Sequence, residues 1–263
     1  MKRLLLVLAL LPVLGAISNA AAEDSQARAL MQQVAARDEG RRQQARVEFI
    51  LTPGSGAAQV RIATAYRDQD SEGRRLALYF ESPRSLRRSS FLSWDLAASG
   101  DDRWLYLPAL RRARRIPAAE RGGYFLGTDL TYDDMRHFGK VDLADYRFVS
   151  MRALPGEADL WEVEGVPLSA DIQAALGYSR GRWVVDARQH FVRTSDYQDA
   201  QGERLKTIEY DQWQILDGIL TANRITVRNH KTGHRTELRF SSIVNDADFP
   251  AERLSPQGLE RGG

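Results

Sequence analysis

The sequence predicts a mainly β protein of a single domain, in which a long antiparallel meander hides one of its faces around a few helices. Three observations carry this. Period-two alternation runs through most of the chain, turn residues punctuate it at short intervals, and no Pro/Gly/Ser linker or change of composition splits it into two blocks. The alternation begins only after two segments of a different kind.

The first segment is Lys2-Arg3 followed by an apolar run from Leu4 to Ile17, ending in Ser18-Asn19-Ala20-Ala21-Ala22. A positive start, an apolar core too short to span a bilayer and small residues before Glu23 describe a signal peptide of residues 1–22, cleaved near Ala22. The expected location is therefore periplasmic. The chain has no cysteine, hence no acylation site after the signal, no disulfide and no thiolate nucleophile. No later stretch is apolar enough to cross a membrane as a helix. Loss of Lys2 and Arg3 with the signal leaves 35 basic against 35 acidic residues in 241, a neutral balance that argues against nucleic acid as a partner.

Second comes Ser25–Arg37, where Ala29, Leu30, Val34 and Ala35 recur at helical spacing and Gly40 stops the run. Beyond it lie the strands. Val47-Phe49-Leu51 and Val60-Ile62-Thr64-Tyr66 flank a Thr-Pro-Gly-Ser-Gly turn as a hairpin. Leu76-Leu78-Phe80, Phe91–Trp94, Trp104–Leu107 and Arg114–Ile116 continue the series. Tyr146-Phe148, Leu160–Val163, Trp183–Val185, Phe191–Thr194, Leu205-Thr207, Ile219–Val227 and Thr236–Ile243 repeat the habit. Short helices are expected near Tyr132–His137 and Ser169–Leu176, and a tail after Phe249. Trp104 and Tyr106 fall on one face of their strand and Leu105 and Leu107 on the other, so apolar material covers both faces there. Such a meander either closes into a barrel or curls around its helices, and curling leaves a groove.

The central residues are more particular. Asp101-Asp102-Arg103-Trp104-Leu105-Tyr106-Leu107-Pro108-Ala109 leads into Arg114-Arg115-Ile116 and then Gly127-Thr128-Asp129-Leu130-Thr131-Tyr132-Asp133-Asp134-Met135. This block resembles the LolA-like outer-membrane lipoprotein-sorting protein family. The likeness continues through Trp183–Asp186, Gly202–Lys206 and Thr236–Leu238 to Phe249. The resemblance implies a curved antiparallel sheet, an open half-barrel of the LolA/LolB-like kind, over residues 23–263. It also implies an apolar cavity for a lipid or lipoprotein acyl chain, and an inner-membrane transporter of the resistance-nodulation-division (RND) type as a partner. The expected function is a periplasmic carrier in lipoprotein sorting and outer-membrane biogenesis, not an enzyme. The alternative is an accessory module that docks to a transporter and carries nothing; a lipid- or glycan-acting enzyme is the third reading.

Phe80, Trp94, Trp104, Tyr106, Phe125, Met135 and Trp183 are the cavity candidates, although large side chains also fill ordinary cores. Arg111, Arg112, Arg114 and Arg115 form the densest charge cluster, either a solvated hairpin tip or a docking patch for anionic head groups or a transporter. Asp129, Asp133 and Asp134 read as an acid/base pair or a hard-cation site on one view. On the other they cap a short helix, with Thr131 or Asp129 as the cap. His230 and His234 flank Lys231-Thr232-Gly233, hairpin-turn chemistry that loses the helical spacing a zinc site needs. No nucleophile elbow, phosphate loop or dinucleotide fingerprint occurs, and no cofactor or metal is expected.

Overall fold

The computed structural model describes residues 24–96, 100–136 and 138–262. The signal region 1–22 and His137 lie outside the described residues. Within them the chain forms α1 (Ser25–Ala36), then strands β1 (Arg42–Thr52), β2 (Gln59–Asp70), β3 (Gly73–Ser82), β4 (Ser90–Leu96), β5 (Gly100–Leu107) and β6 (Arg112–Arg115). After a long connection come β7 (Tyr146–Ala153), β8 (Leu160–Pro167), α2 (Ala170–Leu176), β9 (Arg180–Asp186), β10 (Phe191–Gln198), β11 (Arg204–Leu216), β12 (Ile219–Asn229) and β13 (Arg235–Asn245). A short 3-10 turn and α3 (Pro256–Arg261) end it.

The described strands make one antiparallel sheet in the order β6-β5-β4-β3-β2-β1-β13-β12-β11-β10-β9-β8-β7. Two meanders are thus joined along β1 and β13, with β6 and β7 left as free edges, so the sheet is open and not a closed barrel. One chain-order consequence matters for function: residues 116–145 must travel from one edge of the sheet to the other. They do so across the face that also receives α1.

That face holds the main core. Asp24 caps α1 by accepting the Gln26 and Ala27 N–H groups at 2.9 and 3.0 Å, and Ala27, Leu30, Met31 and Val34 form the buried stripe at helical spacing. From the crossover, Phe125 inserts among Phe49, Phe80, Phe91 and Tyr132, with ring centroids 5.1 to 6.3 Å away. Trp183 fills the other end of the core against Tyr146, Phe148 and Tyr197. Its indole lies over a pair of cross-strand glycines, Gly165 and Gly181. A Cβ at Gly165 would stand 2.8 Å from the Trp183 ring, and one at Gly181 would overlap it outright.

A second apolar cluster occupies the opposite face of β2–β6. Tyr66, Ala77, Tyr79 and Leu92 pack against Ala247, Phe249, Leu254 and Leu259 of the C-terminal segment. Tyr79 Oη donates to Arg253 O at 2.6 Å and Trp94 Nε1 donates to Leu254 O at 2.8 Å, pinning the segment down. The tail after Phe249 is therefore the cover for the apolar residues on the second face of that half of the sheet.

Candidate functional site

The predicted cavity residues separate into two groups. Phe80, Phe125, Met135 and Trp183 are buried in the main core among other core side chains, and none of them lines the cleft described below. Trp94, Trp104 and Tyr106 lie on the opposite face beneath the C-terminal segment, with the two tryptophan rings edge to face at 4.9 Å. The strand alternation was correct, but which face meets the concavity depends on sheet curvature and on where the tail returns.

Open apolar volume lies elsewhere, at the junction of the two meanders. β12 pairs with β13 only from Arg224 to Arg228, while Ile219–Ala222 pair with β11 and Arg46 and Gln44 of β1 take the far end of β13. The two strands therefore part company at this end of the sheet. Into the split project Ile219, Leu220, Ala222 and Ile225 from β12, Phe240 and Ile243 from β13, Tyr210 and Trp213 from β11, and Ala45, Ala65 and Leu76 from β1–β3, with Phe138 of the crossover packed edge to face on Phe240. The enclosed free volume is about 90 Å³. That is below the ~150 Å³ of an engineered cavity able to hold benzene, so an acyl chain needs the split to widen.

Two backbone irregularities shape this cleft. Strict alternation would send Tyr210 and Trp213 to opposite faces, and likewise Phe240 and Ile243. Gln212 and Ser242 take positive φ, 53° and 49°: at Ser242 the register of β13 against β1 shifts, a bulge, whereas at Gln212 the pairing of β11 with β12 lapses for one position and resumes in the same register, and both members of each pair line the cleft. Neither position has a glycine or proline to advertise it, and sequence periodicity stopped β11 short of Trp213. The loop after α1 closes one wall: Gly40 has φ +76°, and a Cβ there would stand 2.7 Å from Ile219 Cδ1.

One end of the cleft is charged. Glu39 is buried, with Arg74 Nη1 at 2.7 Å and Arg67 Nη1 at 3.2 Å from one carboxylate oxygen, Arg37 Nη2 at 3.0 Å from the other and Lys140 Nζ at 3.5 Å. Burial opposes ionisation of Glu39, but Arg74, Lys140, Arg67 and Arg37 together outweigh it and hold its pKa down at about 2. Arg67 is lowered to about 10 by burial and by Arg74 beside it. Burial also lowers Lys140, against the pull of Glu39.

The acidic motif of the crossover is engaged throughout. Asp133 takes Arg103 Nη2 at 2.8 Å; Asp134 takes Lys206, the Tyr178 hydroxyl at 2.9 Å and the Thr131 N–H at 2.6 Å; Asp129 takes the Thr236 hydroxyl at 2.7 Å and pairs with His234. Thr131 returns the favour by accepting the Asp134 N–H at 3.0 Å, a reciprocal cap on the 3-10 turn Asp134–Arg136. These carboxylates staple the crossover to β5, β11 and β13. His230 contacts Thr207 and His234 contacts Asp129, so the two imidazoles serve different partners, and among the described residues no group of His, Asp and Glu is arranged to hold a metal. A further set surrounds buried Arg136, with Asp101, Asp145, Asp142 and Asp133 at 2.6 to 3.7 Å. Burial and hydrogen bonding to Asp95 push Asp101 up to about 6 against the pull of Arg136, and burial pushes Asp145 up to about 6.

The arginine cluster sits where expected, at the hairpin tip between β5 and edge strand β6. Arg114 pairs with Glu120 at 2.6 Å and Arg115 with Asp102, whereas Arg111, at φ 51°, and Arg112 are exposed beside Leu110 with no partner among the described residues. Charge along an edge strand also discourages edge-to-edge pairing.

A family model described as "Uncharacterized protein"-like matches residues 72–261. An outer-membrane lipoprotein-sorting protein domain from Vibrio parahaemolyticus superposes with a TM-score of 0.79 at 26% identity, over 90% of this chain and 99% of that one. The chain belongs to the LolA-like outer-membrane lipoprotein-sorting protein family. A DUF1329 family protein from Desulfovibrio piger gives 0.80 at 20% identity over 90% and 99%, and a LolA superfamily protein from Nitrosomonas europaea gives 0.64 at 16% over 87% and 97%; both share the fold. No curated protein matches the chain. Among the described residues no helix is long and apolar enough to cross a membrane.

Proposed function

We propose that the protein is a periplasmic carrier, exported by its signal peptide, that takes an acyl chain of a lipid or lipoprotein into the split between β12 and β13 and supports its transfer to the outer membrane. The observation that carries this reading is the cleft itself: aromatic and aliphatic side chains from six strands converge on it where β12 and β13 have no ladder to break. Each methylene buried there contributes about 0.8 kcal/mol, so a chain of modest length outweighs the cost of widening the split. The lipoprotein-sorting description of the Vibrio parahaemolyticus relative points the same way.

Release then needs an acceptor. The exposed Leu110-Arg111-Arg112 tip suits an acidic surface on an RND-type transporter. One feature favours the rival reading, an accessory module without cargo: four of the seven residues expected to line a cavity, Phe80, Phe125, Met135 and Trp183, are buried in the core, and the free volume at rest is small.

Gentle purification of the mature protein from periplasm, solvent extraction and mass spectrometry distinguish the two. A defined lipid near one per protein, lost on Trp213→Asp, supports the carrier. An empty extract together with no binding of added lipids or lipoproteins leaves the docking module.

A further inference from the structure

The charged end of the cleft is unbalanced. Arg37, Arg67, Arg74 and Lys140 converge on a single buried carboxylate, Glu39. Neighbouring carboxylates belong to other cations: Asp70 to Arg75, Asp142 to Arg136 and Asp68 to Arg42, while Asp38 is exposed to solvent. An excess of three positive charges thus stands in a largely dry site, a costly arrangement unless a counter-charge arrives.

Backbone carbonyls answer part of the demand. Lys140 Nζ donates to Ala35 O and Arg37 O at 2.9 and 3.0 Å, at the negative end of α1, and Arg37 Nη1 donates to Leu220 O at 2.9 Å. Arg67 reaches Glu39 O and Gly40 O. Yet the Nε groups of Arg37, Arg67 and Arg74 are buried and have no acceptor among the described residues. Arg74 is the least committed of the four: among the described residues its guanidinium reaches Glu39 but, unlike those of Arg37 and Arg67 and the ammonium of Lys140, no backbone carbonyl. It also stands in the wall of both the apolar cleft and an adjoining surface recess of about 380 Å³, whose rim carries Lys140 and the carboxylates Asp70, Asp95 and Asp142, so the cleft side of Arg74 is the side open to an anion.

We infer that Arg74, with Arg67, Arg37 and Lys140, forms a head-group subsite for the anionic end of an amphiphile whose chain occupies the cleft, and that Glu39 is the internal stand-in for that anion. This rests on the carrier reading and narrows it. The cargo is a lipid bearing a carboxylate or phosphate next to its chain, in preference to the uncharged acylated end of a lipoprotein. Apolar walls leading to a cluster of excess cations match such a molecule in both shape and charge. Because Glu39 lies in the loop between α1 and β1, an arriving anion competes with it and loosens that loop's hold on Ile219 across the cleft.

Isothermal titration of the mature protein with dodecanoate, dodecyl phosphate and dodecanol tests this at constant chain length. The anionic ligands are expected to bind ten- to a hundredfold more tightly than dodecanol, the range of one or two charge-assisted hydrogen bonds. The tighter of the two names the head group as carboxylate or phosphate. Arg74→Gln should abolish most of that preference and leave dodecanol unchanged. Glu39→Gln should lower the Tm of the free protein while tightening dodecanoate binding, a gain that a purely structural cluster would not produce. Equal binding of dodecanoate and dodecanol by the wild type overturns the subsite while leaving the cleft as a chain site. Binding of none of the three removes the carrier reading and the subsite together. If Arg74→Gln weakens all three alike, its role is structural and the inference is wrong.

Discussion

Substitution of Lys206 by Met examines what holds the crossover against the sheet. Lys206 has no exposed surface; its ammonium pairs with Asp134, donates to Asp129 O at 3.2 Å and lies 4.8 Å from the Tyr178 ring centroid. Met preserves the length of the apolar stem and removes the charge, which leaves the largely buried Asp134 carboxylate without a cation. Breaking a buried pair from one side costs about 3–5 kcal/mol. Asp134 retains the Thr131 N–H and the Tyr178 hydroxyl, so the lower end applies, about 3 kcal/mol. At roughly 2–4 °C per kcal/mol for a domain of this size, the Tm falls by about 6–12 °C. Adding Asp134→Asn supplies a neutral acceptor for the same two donors, and the double variant should recover about 2 kcal/mol of the loss. Urea denaturation of the wild type, both singles and the double measures this coupling. A cost below about 1 kcal/mol for Lys206→Met, or a double variant losing the sum of the singles, would show that the pair does not staple the crossover.

Three further outcomes are expected. Gly181→Ala drives a methyl group into the Trp183 indole, which Tyr146, Phe148 and Tyr197 prevent from retreating; thermal denaturation should show a loss of about 1–3 kcal/mol that Trp183→Leu partly relieves, and an unchanged Tm contradicts the packing. Asp101 and Asp145 have folded pKa values raised to about 6 from 3.8, so the folded state binds protons first and stability rises by about 1 kcal/mol for each as pH falls from 7 to 5. Glu39, lowered from 4.5 to about 2, has the opposite sign: its stabilisation is present above pH 4.5 and is lost as pH falls toward 2, so urea midpoints against pH should rise from neutrality, pass through a maximum at about pH 4 and then fall. Truncation after Asn245 uncovers Tyr66, Tyr79, Leu92 and Trp94, and the shortened protein should bind a hydrophobic dye and aggregate on gel filtration; a monomer with wild-type dye response would mean that the tail is not needed as a cover.

Period-two alternation determined most of the strands, and the run of Ala29, Leu30, Val34 and Ala35 determined α1, because each pattern reflects burial of one face of a local element. Ser169 and Thr131 signalled their helical turns through capping chemistry that acts within three residues. The Asp101–Met135 block carried the family. Tertiary structure alone decided the rest. Trp104 and Phe125 looked equally suited to a cavity, yet the returning C-terminal segment claimed one and the core claimed the other. Trp213 and Phe240 line the cleft beside backbone irregularities at Gln212 and Ser242, residues with no local preference that would reveal a positive φ. Arg37, Glu39, Arg67, Arg74 and Lys140 come from a loop, two strands and the crossover, and only the joining of β1 to β13 sets them beside the split. Alternation and capping are written in neighbouring residues; a cleft is made by distant segments meeting, and the free energy that selects their meeting belongs to the whole sheet.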